Sequence, residues 1–249
     1  MSSRAEQSPY RTKPPGKSLH GQIVRELGLR ILSGELAPGD RLPGEPELIE
    51  TYEVSRPVLR EAVRVLVAKG LVLSRQRAGA IVRPRNEWHL LDPDVLYWMI
   101  QTRPAPEFVR TLMSVRRVFE PGAAALAALA ATDEQLAGIA QAYEGMAAAT
   151  EAAAQLEPDL AFHRRIAEAT GNDLLAYIGN MLSLALRESI KLSSRLPHTQ
   201  ASSLPRHLAI LAALQARDPA AAHAATLLQL DATQLDLSAA ISTAPDLRR

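Results

Sequence analysis

The chain has 249 residues, 47% of them hydrophobic, no cysteine, and a net charge of +1 that conceals a division: residues 1–85 carry 15 Lys and Arg against 9 Asp and Glu (+6), the remainder 13 against 18 (−5). The missing cysteine excludes disulfides, thiolate metal sites and cysteine nucleophiles, and no stretch reaches the roughly 20 apolar residues of a membrane span, so the sequence reads as a cytoplasmic protein. The basic first third points to a polyanionic partner for that third alone, chance clustering being the alternative.

Residues 1–17, MSSRAEQSPYRTKPPGK, lack the apolar core of a secretory signal and read as a disordered basic arm. From Ser18 to Ser33, Leu19, Ile23, Leu27 and Ile31 recur every four residues, one stripe of a helix that Gly34 stops. The turn APGDRLPGE follows, then a short helix from Glu45 to Tyr52. A second helix starts after Ser55, a plausible N-cap, and runs through Val58, Leu59, Ala62, Val63, Leu66 and Val67 to Lys69, with Gly70 as its stop. LVLSRQRAGAIVR predicts two strands, Leu71–Ser74 and Ala80–Arg83, around a hairpin loop. Residues 18–83 thus form one domain, and residues 84–103, holding Trp88 and Trp98, a linker that turns helical after Asp92-Pro93. Residues 104–240 predict six helices, at 106–131, 133–149, 152–170, 173–195, 203–217 and 219–240, with breaks at Thr132, Gly171, Pro205 and Asp218-Pro219; residues 241–249 are a frayed tail. The fold class is mostly α: an N-terminal winged helix-turn-helix and a C-terminal all-helical bundle.

Helix, turn, helix and a two-stranded wing is an established way to lay a helix in the DNA major groove. The second helix places Arg56 and Arg60 one turn apart, opposite an apolar face of Val58, Leu59, Val63 and Leu66. An arginine fork matches guanine O6 and N7. Ser55, and Arg75, Gln76 and Arg77 beside Gly79 in the wing, are candidates for backbone contacts, which set register and affinity. A solvated arginine-rich face is the alternative.

In DLAFHRRIAEATGN, Asp159 and His163 stand four apart and share a helix face, a spacing that suits one divalent cation, an exposed i,i+4 ion pair or a satisfied core histidine being the more common outcome of such spacing.

The string ILSGELAPGDRLPGEPELIETYEVSRPVLREAVRVLVAKGLV closely resembles the N-terminal domain of the GntR family, with its PG-x-x-LP turn, V-S-R-x-x-x-R-E-A and L-x-x-x-G-L at matching spacing. The resemblance implies that Arg56 and Arg60 face DNA; many members carry an arginine where this chain has Pro46. VRRVFEPGAAALAA, DLAFHRRIAEATGN and RHLAILAALQARDPAAA resemble the all-helical effector domain, called FCD, of the FadR subgroup. In that subgroup one Asp and three His typically hold a metal. Carried over, Asp159, His163 and His207 match, and the last His falls at Gln229. His223 is six residues away, roughly 240° around the helix, and does not substitute. Two readings stay open: three ligands plus effector oxygens holding Zn²⁺, Ni²⁺ or Mn²⁺, or an effector bound by hydrogen bonds without metal.

The resemblance matches Arg116 to an effector-facing arginine, with Arg117 its competitor; Asn172, Arg187 and Gln229 are further effector candidates. PRNEWHLLDPDVLYWM resembles the linker of a sugar-acid-responsive member of the family, which implies an aldonate such as galactonate as effector. The expectation is a homodimeric repressor of a sugar-acid catabolic operon on a near-palindromic operator, released by the sugar acid. The alternatives are a regulator answering another small carboxylate through a metal site, and a metal-dependent hydrolase using the Asp/His/His set.

Overall fold

The computed structural model describes residues 18–75, 79–193 and 199–243; the N-terminal arm, Gln76, Arg77 and the end of the tail lie outside them. The described residues divide at Thr102 and Arg103 into two compact units.

In the first unit, α1 (Leu19–Ser33) begins at Ser18, whose hydroxyl accepts from the Gly21 amide, and ends at Gly34 with φ 87°, where glycine adopts the left-handed region without strain. It buries Ile23, Val24, Leu27 and Ile31. α2 (Glu45–Tyr52) and α3 (Arg56–Ala68) complete the three-helix core, α3 contributing Leu59, Ala62 and Leu66. Each large apolar side chain contributes roughly 1.5–3 kcal/mol on full burial. Ser55 occupies the N-cap position of α3, but its side chain makes no cap hydrogen bond. Pro57 follows at the second helical position and has no N–H, which removes one of the two donors a cap would take.

The wing is an antiparallel pair, β1 (Val72–Arg75) and β2 (Gly79–Val82), with Val72 opposite Val82 and Arg75 opposite Gly79. β2 is also laced to the turn before α2. Leu42 N donates to Ala80 O and Val82 N to Asp40 O, each at 2.9 Å, and Arg41 bridges Ile81.

After a 3-10 turn (Arg85–Glu87), α4 (Pro93–Thr102) packs on α1. Trp98 is fully buried against Gly28, where an added Cβ would lie 2.5 Å from the indole, so only glycine fits. Lys69 Nζ bridges Asp92 at 2.8 Å and Asp94 at 2.7 Å. Burial disfavours that ammonium, but the two carboxylates outweigh it and raise its pKa. Through these contacts the segment after Pro84 is folded into the first unit as far as Thr102.

The second unit is a helical bundle among the described residues: α5 (Ala105–Ala130), α6 (Asp133–Ala148), α7 (Ala152–Glu168), α8 (Asp173–Ser193), α9 (Thr199–Gln215) and α10 (Pro219–Thr243). Thr132 and Gln135 form a capping box that starts α6. Alanines 124, 127 and 128 let α5 approach Ile139, Met146, Phe162, Ile166, Ile210 and Leu214 closely. Pro205, a break by its sequence pattern, lies inside α9. A proline forfeits one intrahelical bond, and here the buried Ile210, Leu211 and Leu214 hold the helix in place.

Candidate nucleic-acid interface and metal centre

On α3 the split between faces is complete. Leu59, Ala62 and Leu66 are buried, while Arg56 and Arg60 are each 63% exposed. Both guanidinium groups flank one carboxylate oxygen: Glu45 Oε1 lies 2.9 Å from Arg56 Nε and 3.4 Å from Arg60 Nε. Beside them, α2, α3 and the wing enclose an open groove of about 950 Å³ whose cations are Arg41, Arg60, Arg64 and Arg75. Neither Arg41 nor Arg64 stands out in the sequence. Arg41 sits in the LP turn, and only the lacing of that turn to β2 brings it to the groove. Arg64 is one turn beyond Arg60 and pairs with Glu61 at 3.3 Å. Ser55 and Arg75 are exposed. Gly79 has φ 78°, a conformation that favours glycine at the wing. Arg77 lies outside the described residues. Pro46 is exposed at the start of α2 and has no side-chain donor.

In the second unit the structure brings Asp159 and His163 of α7 together with His207 of α9. One ligand atom from each lies within 4.8 Å of the others. Asp159 Oδ1 is 3.3 Å from His163 Nε2 and 3.7 Å from His207 Nε2. His207 Nδ1 is 2.9 Å from Ser203 O. A carbonyl only accepts, so Nδ1 carries a proton, and in the neutral ring Nε2 presents a lone pair. That Nε2 and Asp159 Oδ1 are both buried without a hydrogen-bond partner. Buried polar atoms are ordinarily satisfied. An unsatisfied imidazole nitrogen and carboxylate oxygen that converge fit a divalent cation. Phe162, edge-on to both imidazoles with centroids 5.8 and 5.2 Å away, keeps their surroundings apolar.

A further layer orients this cluster. Glu120 Oε2 is 3.3 Å from His163 Nδ1, and Arg116 donates to the same carboxylate from Nε at 2.5 Å and Nη2 at 3.2 Å. Arg116 is only 2% exposed. Burial alone would raise the Glu120 carboxyl, but Arg116 and His163 outweigh it and hold it down to about 2. Burial alone would lower His163, yet Glu120 and Asp159 push it up to about 9. Asp159 is held well below the usual carboxylate range, its burial overcome by the two imidazoles. The adjoining cavity, lined by Phe119, Glu120, His163 and Thr226, measures about 20 Å³, room for one water or one ion.

The other candidates sit elsewhere. Gln229 is buried, but its Oε1 accepts from Arg206 Nε at 2.7 Å, so the amide oxygen already faces a cation. Arg206 also reaches Asp236 at 3.3 Å, and nothing in the sequence pattern singles it out. Asn172 is an exposed cap whose Oδ1 accepts from the amides of Leu174 and Leu175 at the start of α8. Arg187 forks onto Glu157 at 2.5 and 3.2 Å. Arg117 is exposed and pairs with Asp231.

A winged reading head with paired exposed arginines, on one chain with a helical domain holding a buried Asp/His/His cluster, defines a transcription regulator that binds DNA. Residues 19–82 match the model described as "Bacterial regulatory proteins, gntR family", and residues 111–232 that of the FCD domain. The galactonate operon transcriptional repressor of Escherichia coli K12 is 33% identical over 215 residues, 84% of this chain and 92% of that one. The HTH-type transcriptional repressor NanR of Klebsiella aerogenes is 33% identical over 215 residues, 82% of this chain and 79% of that one. Among solved structures, Lar, described as controlling the expression of the Listeria monocytogenes agr system, matches with a TM-score of 0.62 at 19% identity, covering 90% of this chain and 98% of that one. That last likeness speaks to the fold alone. The chain belongs to the GntR family of transcription regulators and carries an FCD domain; it is not an enzyme. No helix among the described residues is long and apolar enough to cross a membrane.

Proposed function

We propose that the protein is a homodimeric, sequence-specific repressor of a sugar-acid catabolic operon, released when an aldonate of the galactonate type binds its helical domain. Likeness to the galactonate operon repressor over 92% of that protein supports the choice of effector class. Arg56 and Arg60 would read base edges of a near-palindromic operator, with Ser55, Arg75, Arg77 and Gly79 near the phosphates. A single reading helix covers few base pairs, and a two-fold protein matches a two-fold site.

The observation that carries the reading is the convergence of Asp159, His163 and His207 with two of their buried atoms unpartnered. These three residues would hold a divalent cation, which supplies open coordination positions for carboxylate and hydroxyl oxygens of the effector. Arg116 would take the effector's carboxylate. In the present structure its fork is on Glu120, and the 20 Å³ cavity is far too small for a sugar acid. Entry must therefore separate Arg116 from Glu120 or open the helices around them. That gives the domain two states with different affinity for the ligand, and the effector shifts the balance by that difference.

The test is thermal shift of the full chain with aldonates, uronates and small hydroxy acids, with and without added Zn²⁺, Ni²⁺ or Mn²⁺. An aldonate should raise the midpoint, since a ligand of the native state adds to apparent stability. Response to the hydroxy acids alone would replace the aldonate by another small carboxylate.

A further inference from the structure

We propose that Glu45 is a specificity-determining positioning residue: its carboxylate, close to both Arg56 and Arg60, holds the two arginines by charge in the place from which they read bases. The inference rests on the base-reading role proposed for those arginines and adds the residue that aims them.

One oxygen, Glu45 Oε1, lies 2.9 Å from Arg56 Nε and 3.4 Å from Arg60 Nε. Among the described residues neither guanidinium makes an aligned hydrogen bond, and each comes nearest to Glu45 through its Nε. The same oxygen is buried from water and accepts no aligned hydrogen bond among the described residues, so the two cations are its charge partners. Because a single atom lies close to both, its charge draws the two guanidinium groups together.

The carboxylate is itself held. Glu45 opens α2 after Gly44, where a negative charge is favoured by the helix dipole, and the preceding Leu42 is tied to β2 by its 2.9 Å bond to Ala80 O. Its charge has a consequence that mere packing would not. Two guanidinium groups and one carboxylate sum to a single positive charge, which weakens attraction to phosphates. Glu45 therefore costs non-specific affinity and confers discrimination, because an arginine attracted to its carboxylate is less free to swing to the DNA backbone.

The two effects have opposite signs, which makes the test direct. In vitro selection by the full-length protein from a randomised duplex library identifies its preferred site, and Arg56→Ala and Arg60→Ala mark the bases each arginine reads. Binding of Glu45→Gln is then measured on the selected duplex and on a scrambled duplex across a salt series. Discrimination between them should fall about tenfold at the marked bases. Binding to the scrambled duplex should tighten and its salt dependence steepen by about one unit of slope. Glu45→Asp, which keeps the charge but is too short to flank both arginines, should lose discrimination without gaining non-specific affinity, and serves if the Gln variant misfolds. Full discrimination in both variants overturns the inference while leaving the arginines as readers. No enriched sequence for the parent protein would overturn the reading role itself, and this inference with it.

Discussion

Both units of the molecule pair arginine with glutamate, in opposite settings. In the reading head, Arg56 and Arg60 share Glu45 at the surface, with more than half of each arginine side chain in water. In the helical domain, Arg116 forks onto Glu120 with both residues buried, and the pair continues into His163, Asp159 and His207. Surface pairs contribute about 0–1 kcal/mol, while leaving one partner of a buried pair alone costs about 3–5 kcal/mol. The lesson is that similar side chains serve different ends: the exposed set is free to meet another polyanion, and the buried set links a candidate ligand site to the stability of the domain around it.

The largest expected effect tests that contrast directly. Glu120→Ala strands the Arg116 cation in the interior and should cost about 3–5 kcal/mol in denaturant unfolding, whereas Arg56→Ala should stay within about 0.5 kcal/mol of the parent. Equal losses would erase the distinction. Next comes metal affinity. Glu120→Gln keeps the shape but removes the charge behind His163, and titration with Zn²⁺ should show weakening of about 10–100-fold. Unchanged affinity would separate the Glu120 layer from the cluster. In the first unit, Gly28→Ala drives a methyl into the Trp98 indole and should destabilise by about 1–3 kcal/mol, read as a lower midpoint.

The pH dependence is gentler and belongs to the second unit. In chelated protein, His163, raised to about 9, contributes stability that is complete below its ordinary value near 6.5 and lost as pH climbs through 9. Glu120, held down to about 2, contributes stability that is complete above about 4.5 and lost as pH falls through 2. Thermal midpoints should therefore be flat from about pH 4.5 to 6.5 and decline on either side. A midpoint still rising from pH 7 to 9 would mean that His163 is not sandwiched as described. The smallest effect on stability is expected of Arg116→Lys, which keeps a cation beside the buried Glu120 carboxylate but loses the fork. Operator binding should persist while release by the effector is lost, measured by displacement of labelled duplex.

Much of the fold and of the site is legible in the amino-acid sequence, for reasons that differ by region. Apolar residues at helical spacing and glycine stops place the helices to within a few residues, because one face of each must be buried whatever it meets. The apolar and cationic faces around Arg56 and Arg60 are spelled out within one helix, and it is the resemblance of the whole surrounding string to the GntR family that marks them as a DNA reader. Asp159 and His163 share a face by spacing alone. The departures come where distant segments meet. Pro205 has the sequence signature of a break, yet buried apolar contacts carry α9 through it. Glu120 stands in the sequence only as a neighbour of Arg116; its contact with His163 crosses from α5 to α7. Arg206, which holds the Gln229 amide oxygen, gives no local signal, since twenty-three residues separate the two.

Local pattern, then, determined the elements, their faces and the chemical types available on each, because periodicity and turn residues act within a few positions of the chain. Tertiary packing decided which charges are buried, which nitrogen of His207 faces a backbone carbonyl, and that one carboxylate flanks two arginines. Those outcomes depend on desolvation and on distances between separate helices, and neither is written in the neighbourhood of any single residue.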